Sequence, residues 1–249
     1  MSDRAADVVP EPANGLELRR SFHHDLDGIR QDIAKLAAGV TENVPRATEI
    51  LLSQDLEGAE YMILGDDEFD AKSLQLEDRC YSVLALQSPV ASDLRQIVAA
   101  LRIIAEIERS ADLTVNICKA ARRIYGHRMD PKLRGVIQKM GDQASQLFKE
   151  ATEAYLTSDA VRAAALDDMD GYLDALQRQF VQAIFESHSS DKLDIQVAVQ
   201  LAVVARFYER IGDHAVNIGE RVRFVVTGLV PEHVGAARYA ERVEQHGAG

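Results

Sequence analysis

From Leu16 to about Gly228 the apolar residues return every three or four positions with few interruptions, the period of helices buried along one face. The pattern predicts six helices, over 16–52, 55–87, 89–125, 131–157, 159–188 and 191–226. The breaks between them are chemically legible. Ser88–Pro89 and Asp130–Pro131 each set a capping side chain before a proline suited to the first helical turn. Gly126 and Gly228 can close helices in a left-handed turn, with Pro231 beyond the second. Pro45 falls inside the first helix, where it is expected to introduce a kink.

The pattern also repeats. Glu108, Arg109, Asp112, Val115, Asn116 and Ile117 recur 101 positions later as Glu209, Arg210, Asp213, Val216, Asn217 and Ile218, and Asp93 recurs as Asp194. Further upstream the shift becomes 104, because the loop SHSSD is shorter than QSPVASD: Glu49, Leu52, Asp55, Asp66, Asp70 and Gln75 match Glu153, Leu156, Asp159, Asp170, Asp174 and Gln179. Each half is therefore three helices joined by short connections, which sets successive helices antiparallel. The expected organisation is all-α: two tandem antiparallel three-helix bundles at 16–126 and 130–228. A disordered segment, 1–15, and a tail, 229–249, to which no role is assigned, flank them.

Composition agrees with that picture. The chain is 249 residues long and 47% hydrophobic, enough for a substantial core, while aromatic residues make up only 6% and tryptophan is absent. A formal charge of −12 argues against a nucleic-acid binder and against an anionic lipid surface. Cys80 and Cys118 lie among apolar residues without CxxC spacing, as expected of a reduced, cytosolic protein. The N-terminus lacks a signal-peptide pattern, and Arg102 interrupts the longest apolar run, 97–105, so any membrane association is expected to come through a partner.

Charge changes the picture most where it interrupts the apolar pattern. In the third helix Leu94, Val98, Leu101, Ala105, Glu108, Asp112 and Val115 advance by fours and threes, the spacing of a core-facing stripe, and Glu108 and Asp112 fall on it. Ile63, Asp66, Asp70, Ser73, Glu77, Cys80 and Leu84 do the same in the second helix. An acid followed four residues later by Asp thus occurs twice per half: Asp66 and Asp70, Glu108 and Asp112, Asp170 and Asp174, Glu209 and Asp213. Such pairs repel by a few tenths of a kcal/mol on an exposed helix, and by more on a packed face. Two antiparallel helices that face their pairs toward each other collect oxygen donors suited to Mg, Mn, Ca or iron, with no particular case for zinc.

Two readings stay open at this point. Acid pairs are common on solvated helices, and Arg109 and Arg210 offer ordinary ion-pair partners, so a metal-free structural bundle stands beside a metal-binding one. A carboxylate-bridged di-metal oxidase is a third, weaker reading, because such bundles use Glu-x-x-His and the chain contains none. His23 and His24 read as a solvated face, Asp93 and Asp194 as acids at helix starts, and Asn116 and Asn217 as packing or hydrogen-bonding groups. The signatures GxSxG, GxGxxG, HExxH, CxxC and the phosphate-binding P-loop are all absent.

The paired ERSADLTVNI and ERIGDHAVNI, the run SPVASDLRQIVAALRIIAEIER leading into the first, and the acid pairs on the preceding helices resemble the PhoU family, cytoplasmic regulators of bacterial phosphate uptake. The likeness spans about residues 16–228. It implies two three-helix bundles related by pseudo-twofold symmetry, with metal clusters on their acidic faces, multinuclear iron foremost and Mn or Mg as alternatives. Asp66, Asp70, Glu108 and Asp112 would serve one cluster, and Asp170, Asp174, Glu209 and Asp213 the other. The resemblance also implies a non-enzymatic negative regulator, a homodimer that links the ATPase subunit of a phosphate ABC transporter to a sensor histidine kinase. The second half departs from the pattern, since it lacks the counterparts of Pro89 and the DLR triplet and carries Val181 in place of Glu77. Its cluster is therefore expected to be less fully or differently occupied.

Overall fold

A computed structural model describes residues 15–87, 89–190 and 193–229; the N-terminal segment 1–14, Ser88, residues 191–192, where the sixth predicted helix is expected to start, and the tail from residue 230, with the expectations attached to them, lie outside it. Within those limits the chain is entirely helical between its turns: α1 (Gly15–Ser53), α2 (Leu56–Leu64), α3 (Asp66–Gln87), α4 (Ala91–Arg123), α5 (Pro131–Thr157), α6 (Ala160–Ser189) and α7 (Ile195–Thr227).

The second predicted helix is two. Gly65 caps α2, its N–H donating to the Tyr61 carbonyl, and α3 starts at the next residue, so α2 and α3 together fill the place of one helix. Three consecutive acids, Asp66, Asp67 and Glu68, occupy the first turn of α3, where the exposed N–H groups and the helix dipole favour negative charge. Other boundaries follow the capping residues. Asp130 accepts from the Leu133 N–H ahead of Pro131, Asp159 accepts from the N–H groups of Val161 and Arg162, and Asp194 from that of Gln196. Gly126 and Gly228 both adopt positive φ, 82° and 76°, as the turns require. Helix α4 is the exception. It begins at Ala91 after an extended Val90 that makes no side-chain cap, so Pro89 precedes the helix and does not form its first residue. Helix α1 runs through Pro45 as one element.

The helices pair as two groups of three, α1 and α2/α3 with α4, then α5, α6 and α7, and the groups join where α4 lies on α7 and α1 on α5. One continuous apolar core runs through both. Ile97, Ile103, Ile104, Ile107 and Ile117 of α4 are buried, as are Leu201, Val204, Tyr208, Ile211 and Ile218 of α7. This corrects the expectation for α4: Leu94 and Asp112 are exposed, Val98, Leu101, Ala105 and Glu108 are half-buried, and only Val115 of that stripe is buried. The reason is energetic. Each fully buried isoleucine contributes roughly 1.5–3 kcal/mol, so these five outweigh any register that would bury two carboxylates. The acids therefore sit at the edge of the helix, toward α3.

Close approaches fix the join between the groups. At Gly141 of α5 an added Cβ would lie 2.3 Å from Thr48 Oγ1 on α1. Thr48 donates to the Val44 carbonyl at 2.8 Å, which leaves the Tyr208 hydroxyl, 2.7 Å away on α7, as donor to Thr48. Three helices thus meet at one buried hydroxyl pair. Gly141→Ala is expected to cost about 1–3 kcal/mol in urea unfolding by overpacking. Gly135→Ala, in the same helix but facing open space, should be neutral or up to about 1 kcal/mol stabilising.

Candidate functional site

Helices α3 and α4 bring Asp66, Asp70 and Asp112 together: each offers a carboxylate oxygen within 4.8 Å of the others. No further trio of potential ligands approaches this closely among the described residues. Burial and mutual repulsion are visible in the acidities of Asp66 and Asp70. Burial, reinforced by Asp70 and Asp112 and opposed by Lys119, pushes the Asp66 carboxyl above the ordinary range. Burial and the charges of Asp112 and Asp67 push Asp70 the same way. Glu108 is half-buried beside them, and its carboxyl is likewise raised by burial and by Asp70, Glu77 and Asp112, while Arg109 pulls the other way. One oxygen of Asp66, Oδ1, is buried with no hydrogen-bond partner. An unpaired buried carboxylate oxygen costs several kcal/mol unless a proton or cation compensates it.

The second half is similar in outline and different in detail. Asp170 is held up to about 6, by burial first and then by Asp174, Asp213 and Asp167. Its Oδ1 is also buried without a partner. Helix α7 comes close at this point: an added Cβ at Gly212 would lie 2.4 Å from Asp170 Oδ1, where the first half carries Ala111 at the equivalent position. Glu209 leaves Oε2 buried and unpaired, but its other oxygen is taken by the Arg206 guanidinium. Arg206 stands where the first half has Ala105. The second cluster therefore includes its own cation.

Sequence reasoning missed a polar node where the two halves meet. Glu106 of α4 lies 2.6 Å from His214 Nδ1 and accepts from Asn217 Nδ2 at 3.1 Å, both on α7. Burial alone would raise the Glu106 carboxyl, yet the hydrogen bonds from His214 and Asn217, with the charges of His214 and Arg109, outweigh it and hold it below the ordinary range. A depressed acid stabilises the fold above its unfolded pKa, and this contribution is lost as pH falls through the folded value. The signal was present in the repeat: Glu106 and His214 stand opposite Phe207 and Leu113 at a shift of 101, polar where the other half is apolar. Asn217 takes the hydrogen-bonding role expected of it.

Asp170 permits a signed test in metal-free protein. Because its folded pKa is raised, the folded state holds a proton that the unfolded state releases between about pH 4 and 6, so stability falls across that window and stays lower above it. Asp170→Asn should therefore raise the melting temperature of chelator-treated protein near pH 7 by about 2–4 °C. That corresponds to roughly 1 kcal/mol after discounting for solvent screening, and the gain should vanish near pH 4.

Comparison with known proteins follows the same two halves. The family model described as "PhoU domain" matches residues 33–121 and again 137–222. A phosphate-specific transport system accessory protein, PhoU homolog 1 of Mycobacterium leprae, is 32% identical over 216 residues, 86% of this chain and 96% of the relative. Homolog 1 of Mycobacterium tuberculosis is 34% identical over 215 residues, with the same two coverages. Among solved structures, PhoU from Pseudomonas aeruginosa superposes with a TM-score of 0.78 at 25% identity, covering 84% of this chain and 100% of that one. The phosphate transport system regulatory protein PhoU from Streptococcus pneumoniae gives 0.77 at 25% identity, covering 84% and 98%.

Proposed function

This chain belongs to the PhoU family, and from that premise we propose that it regulates phosphate uptake as a cytoplasmic adaptor that binds and does not catalyse. The observation that carries the reading is the family match in both halves, alongside relatives named as accessory or regulatory proteins of phosphate transport. No helix among the described residues is long and apolar enough to cross a membrane, so contact with a transporter runs through its soluble parts. The finer proposal is that the helical faces engage the transporter's ATPase subunit and a sensor histidine kinase, and hold the starvation response off by preferring one state of each. In protein isolated from phosphate-replete cells, affinity capture should recover components of the transporter or the kinase. Recovery of neither would overturn the adaptor reading.

Metal binding is proposed for the first cluster on the fit of its donors. Asp66, Asp70 and Asp112 supply oxygens only, at mutual distances one ion can bridge, and Asp66 Oδ1 lacks any other partner. Glu108 lies beside them as a fourth donor. Iron, Mn or Mg suits such a set better than Zn. When bound, the ion would supply the positive charge these acids lack and tie α3 to α4.

At the second cluster, Asp170, Asp174, Glu209 and Asp213, one observation favours a weaker or metal-free site: the Arg206 guanidinium already neutralises Glu209. Elemental analysis of protein purified without chelator should show metal that Asp112→Ala removes and Asp213→Ala leaves largely in place. Arg206→Ala should raise affinity at the second cluster a few-fold in a Mn titration, the scale of one exposed ion pair. Metal content indifferent to Asp112→Ala would overturn the first assignment.

A further inference from the structure

A groove of about 610 Å³ opens between α1 and α3, lined by residues of those two helices. Leu36, Phe69 and Leu76 provide apolar lining, and Lys35, Lys72 and Arg79 bring cationic side chains to it. The repeat shows how it came to be open. At the shift of 104, Lys72, Leu76 and Arg79 correspond to Leu176, Phe180 and Ala183, all buried, so α6 closes on α5 where α3 stands off from α1. Gln143 of α5 donates to the Met169 carbonyl of α6 at 2.9 Å, bridging that pair. The corresponding residues in the first half are Gly39 and Gly65: the bridging side chain is gone, and Gly65 is where the helix breaks.

The substitutions that open the groove also charge it. Lys72 and Arg79 place cations where the closed half has Leu and Ala, in a chain whose net charge is −12. Asp32 lies between Lys35 and Arg79, at 2.8 and 2.6 Å, and Glu68 pairs with Lys72 at 2.7 Å. Five charges at the groove therefore leave a surplus of one positive. The hydrogen bond and charge of Lys35, with Arg79, hold the Asp32 carboxyl below its ordinary range against the opposing effect of burial, as expected where the local potential is positive. A volume within the range of small-molecule sites, an apolar wall with one aromatic ring, and a few cations at the rim match a specific ligand chemistry.

We propose that the α1–α3 groove binds a small organic anion with a planar apolar body, its ring against Phe69, Leu36 and Leu76 and its anionic group at Lys35, Lys72 or Arg79. The proposal is independent of metal binding at the acidic clusters.

The test titrates the full chain with anilinonaphthalene sulfonate, an aromatic monoanion, and with its uncharged analogue N-phenylnaphthylamine, by fluorescence. Saturable one-to-one binding of the anion is expected, at least about fivefold tighter than the neutral analogue. Transplanting the closed half's residues, Gly39→Gln with Lys72→Leu and Arg79→Ala, should weaken it at least about tenfold. Val199→Ser with Val203→Ser, exposed on α7, should leave it unchanged. Should the transplant fail to melt cooperatively, Lys35→Gln with Lys72→Gln, both exposed positions, carries the test: a loss of at least about threefold supports the site and unchanged affinity overturns it. Equal binding by the folded transplant, equal affinity for the neutral analogue, or no saturable binding overturns the proposal. So does a second copy of the chain covering the groove, seen in sedimentation as a dimer that Lys72→Leu with Arg79→Ala disperses.

Discussion

Everything in this molecule is arranged around two helices, α4 and α7, that pack against each other, and against further helices on either side, while carrying carboxylates in their sequences. A helix in that position has little surface left for charge. The isoleucines of α4 and the mixed aliphatic face of α7 claim the interior, and the acids are displaced to the seams with α3 and α6. At the seams Asp66 and Asp170 are half desolvated, each with one buried oxygen that lacks a hydrogen-bond partner and with other acids as neighbours. That is why both carboxyls are pushed above the ordinary range. The two halves differ in how they arrange these acids: the first brings three of them within 4.8 Å of one another, the second sets a guanidinium of the same helix on one acid.

Much of the fold could be read from the chain, because helix periodicity and capping are local and strongly encoded. Asp130 with Pro131 and Gly228 act where the sequence placed them, and Gly126 takes its left-handed turn just beyond the end of α4. The break at Gly65 escaped notice since both flanking segments are good helix formers and a lone glycine inside a helical pattern usually passes unremarked. The misjudged face of α4 has another origin. A stripe spaced by fours and threes identifies the buried side only when a helix is buried on one side, and α4 packs against α1, α2/α3 and α7.

The acid pairs were legible as pairs, and the structure brings Asp66, Asp70 and Asp112 into one cluster with Glu108 alongside. What could not be read was which side chains pair, one turn along the same helix in one case and across helices remote in sequence in the other. Arg206 reaches Glu209 through a substitution that looks unremarkable beside Ala105, and the Glu106–His214–Asn217 node joins residues more than a hundred positions apart. Each becomes visible only when the two halves are compared for their differences, after they have been aligned by their likeness.

One such difference bears on how a duplicated chain keeps its own halves together. Repeated units with alike helices can exchange partners, so that the α4 of one molecule docks on the α4 of another. In such a homotypic pair Glu106 would keep Asn116 in the place of Asn217 but meet Leu113 in place of His214, so a largely desolvated carboxylate would lose the shorter of its two partners. A pair of α7 helices would bury two imidazoles against Phe207 with no acid to receive them. Only the pairing of unlike halves satisfies both, so a single glutamate and a single histidine give an otherwise repetitive sequence a grammar of first and second.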